Sequence, residues 1–111
     1  MTGADVRVVV VDDQQLIRES IAALLDLQAG ITVVGTAEDG VQAIEVVKET
    51  GPDVVLMDVR MPRMDGVTAA AELRLIAPTS KILMLTTYAS SSNVVSIRIL
   101  EVGAISTFDD E

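Results

Sequence analysis

Short apolar runs and amphipathic segments alternate along this chain. Residues 6–11 are rich in β-branched side chains and apolar on both faces, which is typical of a strand covered on both sides in a parallel sheet. Ile17, Ile21 and Leu24 then recur at helical spacing, and Gly30 follows. This pattern predicts a strand followed by a helix over residues 16–27.

The same alternation continues to the end of the chain. The pattern predicts strands at 6–11, 31–37, 54–57, 82–85 and 105–108, joined by helices at 16–27, about 41–50, about 66–77 and about 93–102. Strands joined by single helices indicate right-handed βαβ crossovers in a doubly wound α/β sheet. For five strands we predict a parallel flavodoxin-like sheet of order 2-1-3-4-5, in one domain over residues 1–111.

Composition excludes several classes of function. The net charge of −9 would repel a phosphate backbone, so we expect no direct contact between this segment and nucleic acid. The chain has no Cys and no His, which removes the commonest zinc ligands and the commonest general base. No apolar run approaches the roughly 18 residues that span a bilayer, and the N-terminal residues do not resemble a signal peptide. We therefore expect a cytoplasmic protein without membrane contact.

Carboxylates follow two of the predicted strands. Asp12 and Asp13 come directly after the first strand, and Asp58 comes directly after the third. The predicted strand order makes these strands neighbours, so the three carboxylates converge at the carboxyl edge of the sheet, where α/β folds bind ligands. Such a cluster repels itself unless a hard cation is bound, and Mg²⁺ suits a site with few protein oxygens.

Each of these residues also has a purely structural explanation. A single Asp after a strand is most often a helix cap or a strand end, but three at one edge make that explanation weak. Thr86, at the end of the fourth strand, lies at the same edge and can donate a hydrogen bond to an anion. For Thr86 alone, a β-branched residue that finishes a strand is an equally good explanation.

Three motifs together resemble a known family. The Asp12-Asp13 pair, the run from Asp58 through Pro62 to Gly66, and Thr86 after an apolar strand resemble the receiver domains of bacterial two-component response regulators. The resemblance extends from residue 6 to about residue 88 without a gap. It is greatest to receivers that precede a helix-turn-helix DNA-binding domain.

The resemblance implies a role for each residue. Asp58 would accept a phosphoryl group from a histidine kinase, and Asp12, Asp13, Asp58 and the backbone carbonyl of Arg60 would hold Mg²⁺. Thr86 would be the switch hydroxyl that binds the new phosphoryl group. The family implies a phosphoacceptor in signalling and transcription regulation rather than an enzyme.

The chain departs from the family after about residue 103. Receivers carry a Lys at the end of strand 5, where this chain has Asp110, or Glu111 after a shift of one residue. The loop of residues 88–93 is about two residues longer than the family pattern, and the chain stops where a fifth helix is expected. We therefore expect exposed aliphatic surface beside the first helix. Either the fifth strand is frayed or rearranged, or a homodimer or covering partner lies near the fourth helix and fifth strand.

Two functions stay open on the sequence. The first is a phosphoacceptor receiver, and the second is a receiver-like interaction module that switches poorly because the Lys is missing. A phosphohydrolase with an aspartate nucleophile is disfavoured because Arg60 stands where a second Asp is needed. A dinucleotide-binding fold is disfavoured because the first strand is not followed by a Gly-x-Gly-x-x-Gly motif.

Overall fold

Strands and helices alternate as the apolar pattern predicts, up to the fourth strand. The computed structural model describes residues 5–58, 66–89 and 95–101. The elements are β1 (Val6–Val11), α1 (Gln15–Asp26), β2 (Ile31–Ala37), α2 (Gly40–Thr50), β3 (Val54–Asp58), α3 (Gly66–Ile76), β4 (Lys81–Ala89) and β5 (Val95–Glu101).

The strands form one sheet in the order β2-β1-β3-β4-β5. The pairs β1–β2, β1–β3 and β3–β4 are parallel, which confirms the doubly wound, flavodoxin-like arrangement. Val11 of β1 lies opposite Met57 of β3. The residues that follow these two, Asp12 and Asp58, therefore lie at the same edge of the sheet.

The two faces of the sheet are covered unequally. One face packs against α2 and α3 around a core of aliphatic side chains that includes Val9, Val55 and Leu73, all fully buried. The other face carries α1, in which no residue is buried. Leu16, Leu24 and Leu27, in α1 and just after it, are between 62% and 79% exposed. These three leucines form exposed aliphatic surface on the first helix and just after it.

Local signals in the sequence position α2 against the sheet. The Asp39 side chain accepts a hydrogen bond from Gln42 N at 2.8 Å and so caps the first turn of the helix. Gly51 ends the helix with φ at 55°, a left-handed conformation that favours glycine. Its amide donates to Val47 O at 2.9 Å, which closes the last turn before β3 begins.

The predicted helix at 93–102 is wrong, and so is the expectation of a sheet parallel throughout. Residues 95–101 form strand β5, which pairs antiparallel with β4 from Leu83↔Glu101 to Ala89↔Val95. The physical reason is visible in the residue types, since β-branched Val95, Ile97 and Ile99 alternate with other residues at the period of a strand. Two further predictions, the strand at 105–108 and the departures near Asp110, lie outside the described residues.

Candidate functional site

Asp12 is held by its own backbone and by one side-chain oxygen. It is 1% exposed, and its amide donates to Ala37 O at 3.1 Å, which continues the β1–β2 pairing by one residue. Its Oδ1 accepts from Gln14 N at 2.9 Å, and its carbonyl accepts from Nη1 of Arg18 at 2.9 Å. Since Gln14 immediately precedes α1, these bonds tie the carboxylate to the start of that helix.

Asp58 ends β3, the strand next to β1. It is 8% exposed and lies opposite Leu85 in the pairing with β4. Asp13, the residue after Asp12, is exposed. Asp12, Asp13 and Asp58 each offer a carboxylate oxygen within 4.8 Å of the others, so the structure brings these three predicted residues together.

Burial makes this cluster costly in its charged form. Together with the smaller effect of the charges of Asp58 and Asp13, burial raises the pKa of Asp12 to about 6, against the opposing effect of the hydrogen bond from Gln14 N. The protonated acid can share its proton with Asp58, which also raises this pKa. Once Asp12 is ionised, its buried Oδ2 has no hydrogen-bond partner in the part of the chain that the structure describes.

This donor set fits a hard divalent cation. A buried carboxylate oxygen without a partner costs free energy, and a cation beside the three clustered carboxylates would give the Oδ2 of Asp12 that partner. Carboxylate oxygens are the ligands that Mg²⁺ prefers in proteins, and it completes its shell with water. The residues present therefore fit Mg²⁺ at the carboxyl edge of the sheet.

Of the other predicted site residues, Thr86 is among the described residues and Arg60 and Pro62 are not. Thr86 lies in β4, directly after the partner of Asp58 and opposite Arg98 of β5.

Sequence reasoning overlooked Arg18, which binds the Asp12 carbonyl. A signal for it exists, because Arg18 precedes Ile21 and Leu25 by three and seven residues and thus shares their inward-facing side of α1. An Arg on the apolar side of a helix needs an acceptor near the helix end. The carbonyl of Asp12 is that acceptor.

The chain matches a known protein family over most of its length. The model of the response regulator receiver domain matches residues 8–108. The chain belongs to the response regulator receiver family. The receiver fold explains why the carboxylates at the ends of β1 and β3 meet at one edge of the sheet.

Relatives of this receiver include regulators and an enzyme. It is 40% identical over 99 residues to the transcriptional regulatory protein LnrK of Bacillus subtilis, a match covering 89% of this chain and 44% of LnrK. It is 38% identical over 105 residues to protein-glutamate methylesterase/protein-glutamine glutaminase 2 of Cupriavidus pinatubonensis, covering 95% of this chain and 29% of that relative. The receiver thus spans less than half the length of these curated relatives.

A solved structure supports the same fold. The signal receiver domain of NarL from Mycobacterium tuberculosis is 40% identical, with a TM-score of 0.73 over 83% of this chain and 74% of that one.

Within the described part of this receiver, each helix is too short or too polar to cross a bilayer.

Proposed function

We propose that this receiver accepts a phosphoryl group on Asp58 from the phosphohistidine of a histidine kinase. A carboxylate oxygen of Asp58 would attack phosphorus, the bond from phosphorus to the histidine nitrogen would break, and the histidine would take up a proton. The product is an acyl phosphate on Asp58. The observation that supports this reaction most directly is the cluster of three carboxylates around the buried, unpartnered Oδ2 of Asp12.

In this proposal Asp12, Asp13, Asp58 and the Arg60 carbonyl hold Mg²⁺. When bound, the ion neutralises the negative charge that builds up between the carboxylates and the incoming phosphoryl group. Asp12 is fixed at its amide, its carbonyl and its Oδ1, so it needs little reorganisation to take part. Thr86, one residue beyond the β4 partner of Asp58, would donate its hydroxyl to the phosphoryl group.

We further propose that the kinase contacts α1 and that the signal passes to transcription in the cytoplasm. Leu16 begins an exposed apolar stripe only four residues from Asp12, and such stripes mark protein contact surfaces. The output domain would be one of the kind found in transcriptional relatives such as LnrK. This segment itself would act as a phosphoacceptor, without enzymatic turnover and without touching DNA.

The second candidate is a receiver-like interaction module that switches poorly. Two observations favour it: acidic residues at the position of the family's Lys, and β5 in place of the helix predicted after β4. Pairing along β4 as far as Ala89 would restrain the segment that carries Thr86. A homodimer or covering partner at this side of the sheet stays a prediction.

Phosphorylation with a small donor separates the two candidates. The 111-residue chain is incubated with acetyl phosphate and Mg²⁺, and its intact mass is measured. The first candidate predicts the addition of one phosphoryl group, which is lost in Asp58→Asn and retained in Asp53→Asn, a matched change at the other end of β3. A wild-type chain that gains no mass would favour the interaction module, and modification of Asp58→Asn would place the acceptor elsewhere.

A further inference from the structure

The hydrogen bond from Arg18 to Asp12 has a consequence for cation binding. We propose that Arg18 is a positioning residue, which holds Asp12 in the orientation that a divalent cation needs. This inference rests on the proposed function of the carboxylate cluster, and it adds a residue that does not touch the cation.

Asp12 has four polar atoms, and three of them are occupied. Its amide bonds to Ala37 O, its Oδ1 to Gln14 N and its carbonyl to Nη1 of Arg18, at 3.1, 2.9 and 2.9 Å. Among the described residues, Oδ2 is the one of these four atoms without a hydrogen-bond partner, although it is buried. The three bonds thus fix the residue and leave a single oxygen for a cation.

Arg18 closes a small ring of hydrogen bonds at the start of α1. Its own amide donates to Gln14 O at 2.9 Å, while the amide of Gln14 donates to the Asp12 carboxylate. The guanidinium then returns to the Asp12 carbonyl, and this bond is partly buried. Without Arg18, the peptide after Asp12 loses its restraint on the helix side, and the carboxylate loses part of its fixed orientation.

The charge of Arg18 by itself predicts the opposite effect of its removal on Mg²⁺ binding. A guanidinium close to a cation site repels the cation, so its removal would strengthen Mg²⁺ binding if charge were its main effect. The guanidinium of Arg18 donates to the backbone carbonyl of Asp12 and so restrains the backbone of that residue. Its bond to the carbonyl therefore acts on the position of Asp12, and its removal should weaken binding.

Arg7 provides a matched control in the same chain. Its Nη1 donates to Gly51 O at 2.9 Å, the same kind of bond and the same length as that of Arg18. The bond joins the start of β1 to the end of α2, at the opposite edge of the sheet from the carboxylates. Arg7→Met and Arg18→Met thus remove the same charge and the same type of bond.

Calorimetric titration with Mg²⁺ tests the inference on the 111-residue chain. The wild type, Arg18→Met, Arg18→Lys and Arg7→Met are compared at pH 7.5, at a temperature where circular dichroism shows each to be folded. We expect Arg18→Met to raise the Kd for Mg²⁺ about 10-fold, as for other residues that orient a metal ligand. Arg18→Lys, which keeps a donor and the charge, should recover part of this loss, and Arg7→Met should bind like the wild type.

The outcomes separate this inference from the proposed function. An unchanged or tighter Kd in Arg18→Met overturns the positioning role, and so does an equal loss in Arg7→Met, which would indicate general loosening. If Arg18→Met does not fold, Arg18→Lys decides: weaker binding than in Arg7→Met supports the role, and wild-type binding overturns it. A wild-type chain that does not bind Mg²⁺ would overturn the proposed cation site together with this inference.

Discussion

The two ends of β3 carry similar residues in opposite surroundings. Asp53, just before the strand, is exposed and accepts a hydrogen bond from Arg7 N to its Oδ2 at 2.9 Å. Its amide donates to Arg7 O at 2.9 Å, and its carbonyl accepts from Lys81 N at 2.8 Å. Asp58, at the other end, is largely buried beside the carboxylates of Asp12 and Asp13.

The difference separates a carboxylate that serves the fold from one for which we propose a function. The Asp53 carboxylate accepts a hydrogen bond from Arg7 N, and the residue connects three strands, so it serves the fold. Asp58 has acids around it, and a fold that only needed stability would not gather three of them. The clustered carboxylates at the carboxyl ends of the strands therefore lower the stability of the fold, and a bound cation would restore it. Asp53, at the amino end of β3, contributes stability directly.

The largest expected difference between the two edges is in their response to pH. With a folded pKa near 6 and an unfolded value near 3.9, Asp12 binds its proton more tightly in the folded state. Its stabilising contribution is complete below about pH 4 and is lost as the pH rises through 6. Without Mg²⁺, this one group should lower the free energy of unfolding by about 2–3 kcal/mol between pH 4 and pH 7.

Urea unfolding in EDTA, followed by circular dichroism at a series of pH values, measures this dependence. Asp12→Asn is the control, because an amide keeps the shape of the side chain and does not titrate. The wild type should lose stability relative to Asp12→Asn as the pH rises. Parallel curves for the two proteins would contradict the buried, charge-crowded environment of Asp12.

Much of this contrast follows from the sequence, and the reason is topological. The apolar runs identify β1 and β3, and the crossover rule makes them neighbours, so Asp12, Asp13 and Asp58 must share an edge. The spacing of the apolar residues and the right-handedness of βαβ crossovers are sufficient to predict that these carboxylates share an edge. The strand order and the parallel pairing from β2 to β4 were predicted for the same reason.

Two features did not follow from the sequence. Residues 95–101 alternate at the period of a strand but are also apolar enough for a short helix, and the antiparallel pairing with β4 decides between the two. The helical spacing places Arg18 on the inward-facing side of α1, but it does not identify the backbone carbonyl six residues away, that of Asp12, to which Arg18 donates. Both depend on contacts that form only once the sheet has assembled.

A smaller effect is expected from Mg²⁺ itself at pH 7. A ligand at ten times its Kd stabilises the folded state by about 1.4 kcal/mol if it does not bind the unfolded chain. We expect this increase in the free energy of unfolding for the wild type and for Asp53→Asn, and a much smaller one for Asp58→Asn.

Chemical denaturation with and without MgCl₂ measures this increase. The reference samples contain NaCl at equal ionic strength, because a chain of net charge −9 gains some stability from screening alone. Equal stabilisation of all three proteins would mean that the ion acts through general screening rather than at the carboxyl edge.

The smallest expected effect concerns the amino edge. Asp53→Ala removes the acceptor for Arg7 N and should lower the free energy of unfolding by about 1 kcal/mol, since the site is exposed and water replaces part of the bond. Asp53→Asn keeps an acceptor oxygen and should lose less stability.

Asp58→Asn should be as stable as the wild type without Mg²⁺, or more stable, because it removes one of three clustered charges. Urea unfolding at pH 7 in EDTA gives all three values, and a large loss of stability in Asp58→Asn would mean that Asp58, like Asp53, serves the fold.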